Sequence, residues 1–204
     1  QKGLLQYPDH FEFYARLAMF YREKGDFELE RNAIENWLKN RNSSPEAAPF
    51  HYRLGLLLCA DDPDKALDEL TLAARLDEKF APVVETLSAS LHLALLESDL
   101  AQSMILRGRG LALAEEWLLA AEVFRNATQA QPKNASAWAW LGEAKQHLGA
   151  DPLPDLDKAL DLQSDSVLVR SLRGLYFRRQ GSFEEALSEF EMIAELEPEN
   201  PSWQ

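Results

Sequence analysis

Residues Ala101–Pro132 read AQSMILRGRGLALAEEWLLAAEVFRNATQAQP, and this stretch decides the fold. Gly108 lies inside one apolar helical pattern, Trp117 opens a second, and Pro132 closes it. Thirty-four residues beyond Gly108, Gly142 stands in WAWLGEAKQHLG, after the turn Pro132-Lys133-Asn134. A further 32 residues on, Gly174 stands in LRGLYFRRQG, followed by SFEEALSEFEMIAELEP up to Pro198. Self-similarity near this period marks an array of stacked helix-turn-helix units, a class of scaffold that binds other chains.

The same punctuation divides the rest of the chain. The first hairpin spans residues 9–41: Asp9 is placed to cap a helix bearing Tyr14, Leu17, Ala18 and Tyr21. Gly25 stops that helix, and the second shows Phe27, Ile34, Trp37 and Leu38 on one face. Asn42-Ser43-Ser44-Pro45 is a break. Residues 47–77 form the second hairpin, in which Leu54-Gly55 and Leu58 hold the places of Leu141-Gly142 and its surroundings. There Ala66, Leu70 and Ala73 match Ala120, Phe124 and Ala127. Residues 81–97 form one apolar helix without a partner, an irregular unit with no account at the level of sequence. Hairpins at 99–131, 134–163 and 166–197 follow. In the middle one Pro152 and Pro154 confine the second helix to about two and a half turns, making 150–163 a second irregular unit. In the last, Gly181 is the break, and Ser182 with Glu185 has the spacing of a capping box. Eleven helices and no strand are expected, joined by loops short enough to force antiparallel neighbours.

Composition bounds the function. The 204 residues are 46% hydrophobic, enough for a substantial core. Residues 1–100 carry 11 Lys/Arg against 18 Asp/Glu, and residues 101–204 carry 10 against 16. The net charge of −13 is therefore spread evenly and opposes nucleic-acid binding, which needs a basic stripe. Cys59 is the one cysteine, read as a small buried hydrophobe, so neither a disulfide nor a thiolate metal cluster is expected. No segment approaches the roughly 18 uninterrupted apolar residues of a membrane span. The start at Gln1 and the helix-like opening near Trp203 suggest a fragment of a longer array.

At this point the chain resembles the tetratricopeptide repeats. The resemblance rests on Trp138, Leu141, Gly142 and Gly149; on Gly181, Phe183, Ala186, Phe190 and Pro198; and on Gly108, Trp117, Ala120, Phe124, Ala127 and Pro132. The first hairpin follows with Tyr14, Leu17, Ala18, Tyr21, Gly25 and Phe27. It implies an all-α fold of antiparallel helix hairpins stacked into a right-handed superhelix, an α-solenoid whose first helices line a concave groove. A single array is expected over residues 1–204. Two residues depart from the pattern: Trp37 and Ile193 stand where small residues are usual. Trp37 is expected to act as a wedge against the 47–60 helix or to splay that interface.

Catalytic, cofactor and metal chemistry find no support. The four histidines (His10, His51, His92 and His147) are scattered, and His92 reads as structural. Gly108-Arg109-Gly110 lies within a helix and is not a phosphate loop. Asp61, Asp62 and Asp64 read as helix caps and not as a Ca²⁺ loop. The sequons at Asn42, Asn126 and Asn134 carry almost no weight.

Most aromatics read as core, namely Trp117, Trp138, Phe124, Phe183 and Phe190. Trp140 points about 200° round the helix from Trp138, towards the groove or a neighbouring repeat. If it faces the groove, Trp138→Ala is expected to cost much more stability than Trp140→Ala.

Groove candidates are the first-helix positions turned away from the partner helix: Tyr52, Arg109, Ser136, Trp140, Glu143, Gln146, Arg178 and Arg179. Glu12, Ala15, Met19, Arg22, Leu56, Ile105, Ala139, Ser171 and Leu175 share the same register. The set lacks the asparagines and most of the basic residues with which related chaperone-tail binders clamp a carboxylate. A mixed groove suits an extended or helical peptide or protein segment. A structural spacer or self-assembling element, joining through open terminal faces, is the alternative. An RNA-reading helical repeat is opposed by the acidic charge.

Overall fold

The computed structural model describes residues 11–39 and 44–198, the side chain of Phe11 excepted. Asp9, His10, Asn42 and Trp203 lie outside the described residues. Among the described residues there is no strand, and eleven α-helices occur: α1 Phe11–Glu23, α2 Phe27–Leu38, α3 Ala48–Leu58, α4 Pro63–Leu76, α5 Ala81–Leu96, α6 Leu100–Leu113, α7 Trp117–Ala130, α8 Ala135–His147, α9 Leu153–Leu162, α10 Val167–Gln180 and α11 Phe183–Leu196. Short 3₁₀ turns at Pro45–Ala47 and Glu78–Phe80 lead into α3 and α5.

The chain divides into two compact units, Gln1–Leu95 and Leu96–Gln204. In the first, α1 pairs with α2 and α3 with α4, and α2 packs on α3. Helix α5 buries a single stripe of Val84, Leu87, Leu91 and Ala94. In the second unit α6 pairs with α7, α8 with α9, and α10 with α11. There α7 packs on α8, and the first helices run side by side, α6 against α8 and α8 against α10.

One kind of contact recurs at the hairpin crossings. At four crossings a glycine on the first helix meets a large residue fourteen to sixteen positions later: Gly55 and Leu70, Gly108 and Phe124, Gly142 and Leu156, Gly174 and Phe190; Ala18 and Ile34, both buried, stand sixteen apart in the first hairpin. A Cβ added at Gly55 would stand 2.6 Å from Leu70 Cγ, and one at Gly142 2.9 Å from Leu156 Cγ. The missing side chain lets the backbones approach until the partner fills the gap. Flanking positions on the second helix are also small and sealed, as with Ala66 and Ala73, or Ala120 and Ala127, each 0% exposed.

The crossings differ in tolerance, and a substitution pair tests this. At Gly108 an added Cβ would meet Phe124 Cδ1 at 2.8 Å, and Phe124 is fully buried. At Gly174 the nearest atoms are Phe190 Cε1 and Cζ at 3.0 Å, on a half-buried ring with room to move. Gly108→Ala is therefore expected to destabilise, since overpacking at about 1–3 kcal/mol exceeds the roughly 1 kcal/mol helix gain. Gly174→Ala should be near neutral. Equal denaturation midpoints for the two variants would refute the distinction.

Helix ends follow ordinary capping chemistry. Asp26, Asp62, Asp99 and Asn134 each accept a hydrogen bond from a backbone N–H three residues on, at 2.8–3.1 Å. Hydrogen bonds from the Lys65 side chain and backbone hold the Asp62 carboxyl below its ordinary range. The Gln102 backbone N–H and the Gln131 side chain do the same for Asp99. Ser166 caps α10 through Val169 N at 3.4 Å. Ser182 occupies the capping position of α11, but its side chain makes no capping bond, so the expected capping box does not form. Gly25, Gly149 and Gly181 take positive φ (68°, 73° and 79°) at the hairpin turns. Glu115 takes the same conformation at 61° between α6 and α7.

Several core assignments change. Phe124 is fully buried, but Trp117, Trp138 and Phe190 are only half-buried, and Phe183 is 70% exposed. Phe183 holds the place that Trp117 holds in α7, and Trp117 is covered by the hairpin that follows it. No described helix follows α11. His92 is exposed, whereas His51 is buried with Nδ1 2.5 Å from Glu69 Oε2. Cys59 is buried, and its thiol donates to the Gly55 carbonyl. Trp37 is 2% exposed and stacks on Phe50 of α3, ring centroids 4.4 Å apart.

Beside Trp37, two charges are buried that hydrophobic periodicity does not reveal. Glu30 stands where later hairpins have Ala66, Ala120 and Ala186, and it is 1% exposed. Arg53 of α3 donates to it twice, Nε to Oε1 at 2.6 Å and Nη2 to Oε2 at 2.8 Å. The pair ties α2 to α3 in bidentate geometry.

Candidate protein-binding surface

In the second unit the first-helix candidates converge. Arg109 of α6 is exposed and lays its guanidinium over the Trp140 ring of α8, 5.2 Å from the centroid. Trp140 is half-buried, with its ring 6.0 Å from that of Phe124. It packs against two buried clusters at once: Ala101, Ile105, Ala127 and Ala137 on one side, and the group that includes Ala139, Leu156 and Leu172 on the other. Trp140 thus joins the packing between repeats while one edge carries Arg109.

Trp138 packs against only the second of these clusters, and its indole N–H donates to the Pro132 carbonyl at 2.9 Å. The basis for expecting Trp138→Ala to cost more than Trp140→Ala is therefore gone.

One turn along α8 is a polar knot. Arg179 of α10 donates through Nη1 to both Glu143 oxygens at 3.0 and 3.1 Å and to Gln146 Oε1 at 2.7 Å. Glu143 is only 6% exposed and also meets His147 Nε2 at 3.2 Å. The His147 ring lies flat on Trp117 of α7, with centroids 3.6 Å apart and planes 5° apart. Five of the eight candidates thus make contacts between first helices in two groups: Arg109 of α6 with Trp140 of α8, and Arg179 of α10 with Glu143 and Gln146 of α8. The Arg179 guanidinium is engaged by a carboxylate of the chain itself.

The other candidates lie elsewhere. Arg178 is exposed on α10. Ser136 borders a cavity of about 770 Å³ with Gln102, Gln131, Pro132, Asn134 and Gln163. Tyr52 belongs to the first unit and stacks on Phe80, with centroids 4.7 Å apart. Leu56, Ile105 and Ala139 are buried at 1%, 2% and 0%, against their expected exposure. Ile105 and Ala139 sit in the clusters that flank Trp140, because neighbouring first helices cover each other's sides. In the first unit Ala15, Met19 and Arg22 do line a cavity of about 180 Å³, next to Glu30 and Arg53.

Among the described residues no three His, Cys, Asp or Glu side chains come together to hold a metal ion. No described helix is long and apolar enough to cross a membrane.

Hairpins with a small residue on the first helix, a large one on the second and positive φ at the turn define a helical-repeat scaffold. Residues 150–201 match the family model described as Tetratricopeptide repeat, and the hairpins before them carry the same small-against-large crossing. Repeats of this family are generally scaffolds for protein–protein interaction and generally non-catalytic. No curated protein matches the chain significantly. Similar solved structures include MamA residues 41 to the end from Desulfovibrio magneticus RS-1, at 18% identity over 94% of this chain and 97% of that one, TM-score 0.45. YrrB, described as a TPR protein with an unusual peptide-binding site, is 14% identical over 98% and 92%, TM-score 0.45. The pilF protein of Pseudomonas aeruginosa is 16% identical over 95% and 79%, TM-score 0.44. At these identities and scores the likeness bears on no partner.

Proposed function

We propose that the chain is a non-catalytic interaction scaffold that holds a peptide or protein segment in a groove along α6, α8 and α10. The observation that carries this reading is the pair of contacts that link neighbouring first helices, Arg109 over Trp140 and Arg179 to Glu143 and Gln146. An aromatic face beside alternating charges offers a bound chain stacking, hydrogen bonding and directional ion pairing in one strip. Because Glu143 already neutralises Arg179, a terminal carboxylate gains little there. The surface suits an internal segment with scattered anchors, one of them basic enough to compete for Glu143.

Selection from a displayed library of random dodecapeptides tests this. Peptides enriched on the wild-type chain are expected to bind Arg179→Glu and Trp140→Ala at least tenfold more weakly, the scale of one lost anchor. Circular dichroism confirms that each variant is folded. Failure to enrich any peptide, or undiminished binding to both folded variants, would refute the groove.

A further inference from the structure

His147, at the end of α8, sits between two groups of different kinds. Its Nε2 lies 3.2 Å from Glu143 Oε1, one turn back, and its ring lies flat on Trp117 of α7. An ionised carboxylate only accepts, so Nε2 carries the proton and donates it. The ring is open to water, with the side chain 35% exposed against 8% for Glu143. The same Glu143 oxygen accepts from Arg179 Nη1 at 3.0 Å. One buried carboxylate is therefore shared by a permanent cation and by the side-chain type that changes charge near neutral pH.

Two charge states follow. With His147 neutral, Glu143 and Arg179 cancel. With His147 protonated, two cations meet one carboxylate, and one positive charge is in excess. The other charges on the surrounding elements are Lys145, paired with Asp155 of α9; Asp151, which accepts from Leu153 N–H; Glu115 and Glu116 ahead of Trp117; Arg107 and Arg109 of α6; and Arg178 of α10. Among the described residues neither His147 nor Glu143 pairs with any of these. The imidazolium would stay where its ring already lies, tied to Glu143 along one helix and backed by the Trp117 face. Arg179 reaches Glu143 from another helix on a long, flexible side chain, so it is the cation that gives way.

We propose that His147 sets the charge of the residue received at the Glu143–Arg179 contact. While its ring is neutral, the contact takes a basic residue against Glu143. Once the ring is protonated, His147 holds Glu143, and Arg179 turns to an acidic residue of the bound segment. Helices α8, α9 and α10 stay joined through Ala139, Leu156 and Leu172, so the exchange moves side chains and not helices. The ligand preference rests on the groove reading, but the exchange of Glu143 between Arg179 and His147 belongs to the chain alone.

The test takes two readouts on the full chain. Nitrogen-15 NMR follows the Arg179 Nε–H and the His147 ring nitrogens between pH 8 and pH 5, the range in which histidines change charge. Arg179 should shift with the same midpoint as His147. It should stay still in His147→Gln, which keeps a neutral donor towards Glu143 and whose folding circular dichroism confirms. An Arg179 signal that does not follow His147, or that shifts equally in His147→Gln, overturns the proposal. The second readout is fluorescence anisotropy with a labelled dodecapeptide enriched from the library at pH 8 and the same peptide with glutamate in place of its lysine. The affinity ratio of the lysine to the glutamate peptide should fall about fivefold or more from pH 8 to pH 5.5, and should hold constant in His147→Gln. A constant ratio on the wild type, or an equal fall in His147→Gln, also overturns it. If no peptide binds at either pH, the groove reading fails and takes the ligand preference with it, while the NMR titration decides the exchange at Glu143 by itself.

Discussion

Phe124→Ala is expected to lower stability by about 3–5 kcal/mol, the loss typical of a fully enclosed aromatic. Phe124 is 0% exposed, fills the gap left by Gly108 and lies 6.0 Å from the Trp140 ring. Its removal empties a hairpin crossing and undercuts the residue that links two clusters. The matched control is Phe183→Ala, where a side chain 70% exposed should change stability by no more than about 0.5 kcal/mol. Chemical denaturation of both variants decides the matter. A loss under about 1 kcal/mol for Phe124→Ala would mean that the crossing collapses around the vacancy and is not a rigid spacer.

Glu30→Ala should be comparably severe, at about 3–5 kcal/mol, for a different reason. Arg53, with its side chain only 10% exposed, would lose its bidentate carboxylate without gaining access to water. Removing one member of a buried ion pair costs far more than replacing both. Glu30→Ala/Arg53→Met is therefore expected to recover much of the loss. If the single variant is as stable as the wild type, the pair contributes nothing net, and α2 and α3 are held by Trp37, Phe50 and their neighbours alone.

The two predictions also mark the limit of what hydrophobic spacing reveals. Gly108, Gly142 and Gly174 stand out in the sequence because each interrupts an apolar helix at a fixed period, and the structure puts each against its large partner. The Glu30–Arg53 and His51–Glu69 pairs link residues 23 and 18 positions apart, and no local pattern announces them. Glu115 hides a hairpin turn for a related reason: it adopts a backbone conformation usually reserved for glycine.

The groove positions were harder still. A helical wheel treats each hairpin as isolated, so Leu56, Ile105 and Ala139 seemed to face outward. Side-by-side first helices bury Ile105 and Ala139, while residues one turn away, Arg109 and Glu143, meet Trp140 and Arg179. The same reasoning misplaced Phe183, which has the type and spacing of a core residue but is 70% exposed among the described residues.

Arrays of near-identical hairpins face a danger of slippage, in which a second helix docks on the wrong first helix and traps a misassembled chain. The glutamate in α2 opposes that error. The residue two before the crossing glycine is Arg53 in α3, but Leu106 in α6, Trp140 in α8 and Leu172 in α10. Docked on any of those three, α2 would press a carboxylate against an apolar side chain at a cost of several kcal/mol. Of these four helices only α3 offers the matching guanidinium, so the buried charge discriminates between the first helices of later hairpins.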